Sequence, residues 1–328
     1  MLGRLRGPTS WRPAEIVRWL RAGTRARLRA GWHRLRPDHL VQEEQFQRAF
    51  GRPISWRHPT TFNEKIHWIR RYERSPLLTR LSDKVAVRDY VAERCGPAIL
   101  AEAIGVWDRV EEIPWATLPL PCVLKVNWGS GMNWFCRDRA SLDVARATSQ
   151  LAAWMSRNHY WNHREWAYKN IQPRILGEKL LVTSTGDVPP DYKMFCFDGV
   201  PRIVQIDNDR FTNHTKDLYA LPWRRLDVTY HYPASDRDQS PPPQLEALLE
   251  MATTVSRGIP FVRVDGYDLG DRIVFGECTL YPNAGIVPFE PEAFDLELGS
   301  WLTVRRIGAP GARTGEAPQA MRPSGAIC

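Results

Sequence analysis

Hydrophobic and polar positions divide the chain into a helical first third and a strand-rich remainder. Residues 41–76 (VQEEQFQRAFGRPISWRHPTTFNEKIHWIRRYERSP) read as two short helices. Thr61 or Asn63 is a candidate N-cap for the second, whose apolar face includes Ile66 and Ile69. Residues 82–95 (SDKVAVRDYVAERC) read as a further helix ended by Gly96. LAEAIGVW and PCVLKV then read as strands on either side of a proline-rich connection at 114–121. From Cys122 the order is strand, glycine loop (NWGSGMN), strand (NWFCRD), and a helix from about Leu142 to Arg157 opened by Ser141 or Asp143. RILGEKLLV is the next strand. YKMFCFDG and RIVQIDND form a hairpin turning at Asp198-Gly199, and residues 243–257 a helix. FVRVDGYDL and RIVFGECTL pair around Gly270-Asp271. A small strand–loop–strand–helix unit over a larger, mainly antiparallel sheet is an α+β architecture.

Composition adds little until charge is mapped. With 328 residues, 43% hydrophobic and 25% charged, the chain can bury two or three subdomains. No apolar run reaches the roughly 18 residues of a spanning helix. The first residues lack the apolar core of a secretory signal, and the six cysteines show no C-x-x-C pair, which fits reduced thiols and a cytoplasmic setting. The net charge of +8 is localised: residues 1–40 hold ten arginines against Glu15 and Asp38, which accounts for all of it. Ile16, Trp19, Leu20 and Leu28 fall among those arginines at roughly helical spacing. Such a leader suits an interfacial helix on anionic lipid as well as a solvated, disordered arm. The neutral body offers no basic face to continue a nucleic-acid site.

Three constellations carry chemistry. Lys125 stands on a strand four residues before Gly129-Ser130-Gly131. A strand lysine beside a glycine loop can reach phosphate oxygens that backbone N–H groups cover, although the spacing is neither a P-loop nor a dinucleotide turn. Arg263 and Asp265 alternate along one strand, and Glu277 and Thr279 along the next. Two carboxylates so placed suit magnesium with phosphate oxygens and water, and an arginine there neutralises phosphoryl charge. The same pattern also suits an ordinary cross-strand ion pair. Glu178 interrupts an apolar strand, with Asp191 and Lys193 on one face of the strand beyond it. His159 and His163 stand four apart, the spacing of two metal ligands on a helix, but no third ligand is evident.

Taken together, these strings resemble the ATP-grasp fold. SDKVAVRDY, CVLKVNWGSG, ILGEKLL, VRVDGY and FGECTLYP are similar to segments of D-alanine–D-alanine ligases. TFNEKIHW, EWAYKNIQPRI, DYKMFCFDG, DNDRFTNHT and PFVRVDGY resemble the TupA-like ATP-grasp family, named for teichuronopeptide biosynthesis, from about Phe46 to Leu302. The resemblance implies a two-step ligation. A carboxylate attacks the γ-phosphate of ATP, and an amine displaces phosphate from the acyl phosphate. It places Lys84, Lys125 and the loop Gly129, Ser130, Gly131 on the ATP phosphates, Glu178 at the adenine amine and Asp191 at the ribose. It gives Mg2+ to Asp265, Glu277 and Thr279, and the transition state to Arg263, Lys193 and Arg210. Thr279 stands where many such ligases have asparagine. Trp128 and Met132 replace a common histidine and glycine, and Asn283-Ala284-Gly285 replaces a Gly-Ser-Gly run.

These readings give a basic leader at 1–40, a helical region at 41–117, a lid at 118–178, a metal-bearing subdomain at 179–304 and a Pro/Gly/Ala-rich disordered tail at 305–328. The expected substrates are a carboxylate and an amine, in particular a uronic-acid glycan precursor and an amino acid, joined at the cytoplasmic face of the inner membrane. Two other classes compete: a nucleotide-binding module without turnover, and a glycosyltransferase using Asp207-Asn208-Asp209.

Overall fold

The computed structural model describes residues 34–183, 188–208 and 213–304. Most of the leader, the 305–328 tail and Arg210 lie outside the described residues. The chain opens with helices α1 (Asp38–Phe50), α2 (Phe62–Tyr72), α3 (Pro76–Ser82) and α4 (Ala86–Cys95), followed by strands β1 (Ala103–Trp107), β2 (Cys122–Val126) and β3 (Asn133–Cys136). Helices α5 (Val144–Met155) and α6 (Tyr160–His163) precede β4 (Ile175–Lys179). The remainder is β5 (Asp191–Phe197), β6 (Val200–Asn208), β7 (Thr215–Ala220), β8 (Arg224–Arg225), β9 (Thr229–Tyr230), α7 (Leu245–Ser256), β10 (Phe261–Asp268), β11 (Ile273–Thr279), β12 (Phe289–Glu290) and α8 (Ala293–Trp301).

Two antiparallel sheets dominate, a four-stranded one in the order β1-β4-β2-β3 and a six-stranded one in the order β11-β10-β5-β6-β7-β8. This is the small lid and larger antiparallel sheet expected of the ATP-grasp fold. The smaller sheet reaches back to β1, so its strands run from residue 103 to residue 179. The β5–β6 hairpin turns at Asp198 and Gly199 with φ of 48° and 82°, the left-handed pair that a tight hairpin requires.

Local signals account for several element ends. Thr61 accepts a hydrogen bond from the Glu64 amide while Glu64 accepts one from the Thr61 amide, a capping box that starts α2. Asp143 caps α5 by accepting from the Arg146 amide at 2.9 Å. The expected 82–95 helix is instead two helices interrupted at residues 83–85. Asp83 Oδ1 accepts from the Val85 amide at 2.8 Å and from Asn127 Nδ2 at 2.9 Å, which draws the backbone out of helical continuation.

The main core lies between the six-stranded sheet, α7 and the N-terminal helices. Phe62 is fully buried there, its ring centroid 4.8 Å from that of Phe261 and about 6 Å from those of Phe195, Phe197 and Phe289. A second cluster under the smaller sheet joins Leu124, Val126, Trp128, Leu151 and Ile175. Among the described residues no helix is long and apolar enough to cross a membrane.

Candidate active site

A cleft of about 1410 Å³ separates the two sheets. Its floor is one face of the larger sheet, where register places Glu277, Asp265, Lys193 and Gln205 side by side on β11, β10, β5 and β6. Arg263 sits one step along β10, opposite Thr279. The two-residue alternation made each pair share a face; the register makes the pairs direct neighbours.

The floor is a dense charge network. Arg263 clamps Asp265 with two hydrogen bonds of 2.7 Å and donates to Thr279 Oγ1 at 3.0 Å. Lys193 Nζ pairs with Asp191 and lies 3.0 Å from Asp265 Oδ2. Burial raises the Asp265 carboxyl above its ordinary range even though Arg263 and Lys193 oppose the rise. Burial acts in the same sense on Glu277, but there Lys84, Arg263 and Lys193 overcome it and hold the carboxyl at about 2. Glu277 therefore stays ionised, with 32% of its side chain open to the cleft.

The roof comes from the smaller sheet. Lys125 on β2 lies 2.6 Å from Glu178 Oε2 on β4, and Arg88 on α4 lies 2.5 Å from Oε1. Both Glu178 oxygens are thus engaged by cations, which makes Glu178 a brace for Lys125 as well as a candidate adenine contact. Gly129 and Gly131 have φ of 71° and 75°, so the loop after β2 turns in a conformation that suits glycine. A Cβ at Gly129 would stand 2.9 Å from His159 Nδ1.

Lys84 joins roof to floor. Asn127, at the end of β2, accepts the Lys84 amide on its carbonyl at 2.8 Å and holds Asp83 through its side chain. The Lys84 ammonium then donates to the Gly129 carbonyl at 2.7 Å and lies 3.2 Å from Glu277 Oε2.

Of the residues singled out in the sequence, Lys84, Lys125, Gly129, Ser130, Gly131, Glu178, Asp191, Lys193, Arg263, Asp265 and Glu277 all line this cleft. Thr279 is brought to its floor through Arg263. His159 precedes α6 and His163 is its last residue, with His159 Nε2 3.5 Å from Glu165. Asn283 lines the cleft, and it and Ala284 have φ of 46° and 54°. Pattern reading missed Arg88, His214, Lys216 and His231, and raised Asp207 only as part of a glycosyltransferase motif. Arg88 follows Lys84 by four residues, one helical turn, and that spacing was the available signal.

Among the described residues no group of three or more His, Cys, Asp or Glu side chains converges as a ready metal cage. A cation here would rest on Asp265, Glu277 and the Thr279 hydroxyl, completed by phosphate oxygens and water. That hard oxygen set fits Mg2+.

A family model described as TupA-like ATPgrasp matches residues 64–303. No curated protein matches the sequence. Solved structures with similar arrangements include the ATP-grasp ligase PsnB complexed with minimal precursor, at 11% identity and a TM-score of 0.37, covering 66% of this chain and 59% of that one. The ADP complex of purK, N5-carboxyaminoimidazole ribonucleotide synthetase, matches at 13% identity and a TM-score of 0.38, covering 66% of this chain and 50% of that one. D-alanine–D-alanine ligase from Bacillus anthracis matches at 13% identity and a TM-score of 0.37, covering 62% and 59%. The chain thus spans between half and three fifths of these proteins.

Proposed function

The chain belongs to the TupA-like ATP-grasp family, and on that premise we propose that it is an ATP-dependent carboxylate–amine ligase working through an acyl phosphate. The observation that carries this reading is the opposition of two charged surfaces across one cleft. Lys84, Lys125 and the 129–131 loop face Arg263, Lys193, Asp265 and Glu277. ATP phosphates fit between them, with the ammonium groups of Lys84 and Lys125 on the oxygens and the loop amides above. Glu178 and Asp191 stand toward the nucleoside end, each already held by a cation.

The two steps need little covalent help from the protein. A carboxylate oxygen attacks the γ-phosphorus and ADP leaves; an amine nitrogen then attacks the acyl carbon and phosphate leaves. Arg263 and Lys193, the cations that flank Asp265 on the floor, are suited to the charge that spreads over the phosphoryl oxygens in flight. Arg210, beyond the described residues, retains that role as an expectation from the sequence. Mg2+, when bound at Asp265, Glu277 and Thr279, would supply charge neutralisation between neighbouring phosphates. Positioning supplies much of the remaining barrier reduction.

For substrates we propose a uronic acid of a cell-surface polysaccharide precursor and an amino acid, joined at the inner membrane face. The support is the family's association and the arginine-rich leader. The test is phosphate release from ATP and Mg2+ with a panel of uronic acids and amino acids, using wild type and Lys125→Ala. ADP and phosphate formed only with acid and amine together, and lost in the variant, is the expected result. AMP and pyrophosphate would overturn the acyl-phosphate route. Nucleotide binding without turnover for any pair would favour a binding module. Sugar transfer without ATP would favour the glycosyltransferase, although Asp207, its candidate metal ligand, is already surrounded by Lys193, Lys216 and His214.

A further inference from the structure

The second step requires something the phosphate-binding groups do not provide. An alkyl amine is almost entirely protonated near neutral pH and has no lone pair with which to attack. The cations of the site cannot accept that proton. The carboxylates on the floor are committed to Arg263, Lys193 and Lys84. An imidazole facing the same cleft is the side chain suited to take it.

Beside Gln205, the floor continues into a separate cluster. Asp207 on β6 lies 3.8 Å from Lys193 Nζ, so a single lysine links it to Asp265. His214, just ahead of β7, places Nε2 3.5 Å from Asp207 Oδ1. Lys216 Nζ, from β7 itself, is 3.9 Å from the same oxygen, and Gln205 Nε2 donates to it at 3.0 Å. From the segment after β9, Tyr232 stacks on the His214 ring with centroids 3.8 Å apart and planes 29° apart. His231 also stacks on Tyr232, at 4.4 Å and 18°. Lys193, Asp207, His214, Lys216, His231 and Tyr232 all line the cleft that holds Arg263 and Glu277.

We propose that His214 is the general base for amine attack, with Asp207 as the positioning residue that orients its ring. Resting on the ligase reading above, this adds a base to it. Asp207 favours the tautomer with hydrogen on Nε2 and stabilises the imidazolium once formed, leaving Nδ1 to accept the proton. A separation of 3.5 Å is long for a hydrogen bond but close enough for charge stabilisation, and such contacts tighten when substrate binds. His231 is the poorer candidate. Burial, Lys216 and His214 push its imidazole below the ordinary range, and its φ of 71° fixes it in a left-handed backbone conformation.

The step balances. The ammonium gives one proton to His214 Nδ1 and becomes a neutral amine. Its lone pair forms the C–N bond, and the C–O bond to phosphate breaks with its electron pair leaving on oxygen. The remaining excess proton on nitrogen goes to that departing phosphate. His214 then releases its own proton to water.

The test uses the full chain with ATP, Mg2+ and uronic acids as the carboxylate. Amide formation with amino acids is compared with hydroxamate formation from hydroxylamine, which is neutral at pH 7 and needs no base. In His214→Gln the amide rate is expected to fall about 100-fold, while hydroxylamine rescues turnover, so the amide-to-hydroxamate ratio falls by the same factor. Equal losses in both products would overturn the base assignment and leave the ligase intact. No hydroxamate from the wild type with any acid would overturn the ligase reading itself. An independent arm uses Asp207→Asn, which should lower the amide-to-hydroxamate ratio in the same sense as His214→Gln, and an unchanged ratio would remove Asp207 from the pair.

Discussion

Lys84 and Glu277, 193 positions apart in sequence, approach to 3.2 Å, and the same ammonium holds the Gly129 carbonyl at 2.7 Å. One side chain therefore couples the glycine loop to the strand that bears the candidate metal ligand. Lys84→Met should lower kcat/KM for ATP by about 100-fold or more while leaving the fold intact. Steady-state kinetics with far-UV dichroism as the fold control checks this; unchanged kinetics would remove Lys84 from the phosphate site.

The same contact sets an acid dependence. Glu277 is held at about 2 against an ordinary value of 4.5, so its contribution to stability is complete above about pH 4.5 and is lost as pH falls through about 2. Removing Lys84 raises that carboxyl toward its ordinary value, so the acid-labile contribution becomes smaller and its loss is complete at higher pH. Urea midpoints between about pH 2 and 4.5 should therefore fall less steeply with acid in Lys84→Met than in wild type, and equal slopes would remove the Lys84 contact as the cause.

Glu178 is the common partner of two cations that would otherwise face each other, Lys125 and Arg88. Glu178→Ala should cost about 3 kcal/mol, because it strands both charges in a mostly buried setting. It should also raise the KM for ATP by releasing Lys125. A variant with wild-type stability and a raised KM would instead favour direct contact with nucleotide.

Gly299 on α8 lies against the start of α2. A Cβ there would stand 2.8 Å from the Thr61 carbonyl carbon and 2.9 Å from the Phe62 nitrogen. Those are backbone atoms and cannot rotate away. Gly299→Ala should destabilise by about 2 kcal/mol, read as a fall in Tm. Its kinetic constants per folded molecule should stay unchanged, because α8 lies away from the cleft.

The ten arginines of residues 1–40 give the leader its charge. The full chain should co-sediment with vesicles containing phosphatidylglycerol and not with phosphatidylcholine alone, and salt should weaken the binding. Equal binding to both, or to neither, would leave the leader without a membrane role.

Sequence alone determined what depends on neighbours along the chain. Alternation put Arg263 with Asp265 and Glu277 with Thr279, the hairpin turned at Asp198-Gly199, and the glycine loop followed the Lys125 strand. The N-caps were legible to within two residues, as Thr61 or Asn63 and Ser141 or Asp143, since a cap is satisfied within three residues; the structure selects Thr61 and Asp143. Tertiary structure alone decided which strands became neighbours. The order β11-β10-β5-β6 sets Glu277, Asp265, Lys193 and Gln205 in one row, and no local period encodes that register. It also decided the break at Asp83, where a bond to Asn127 outweighs the helical spacing of residues 82–95. Arg88 reached Glu178, and His214 came beside Asp207, for the same reason. Each contact joins segments whose separation along the chain is closed only when the sheets form, so its partner is invisible until they do.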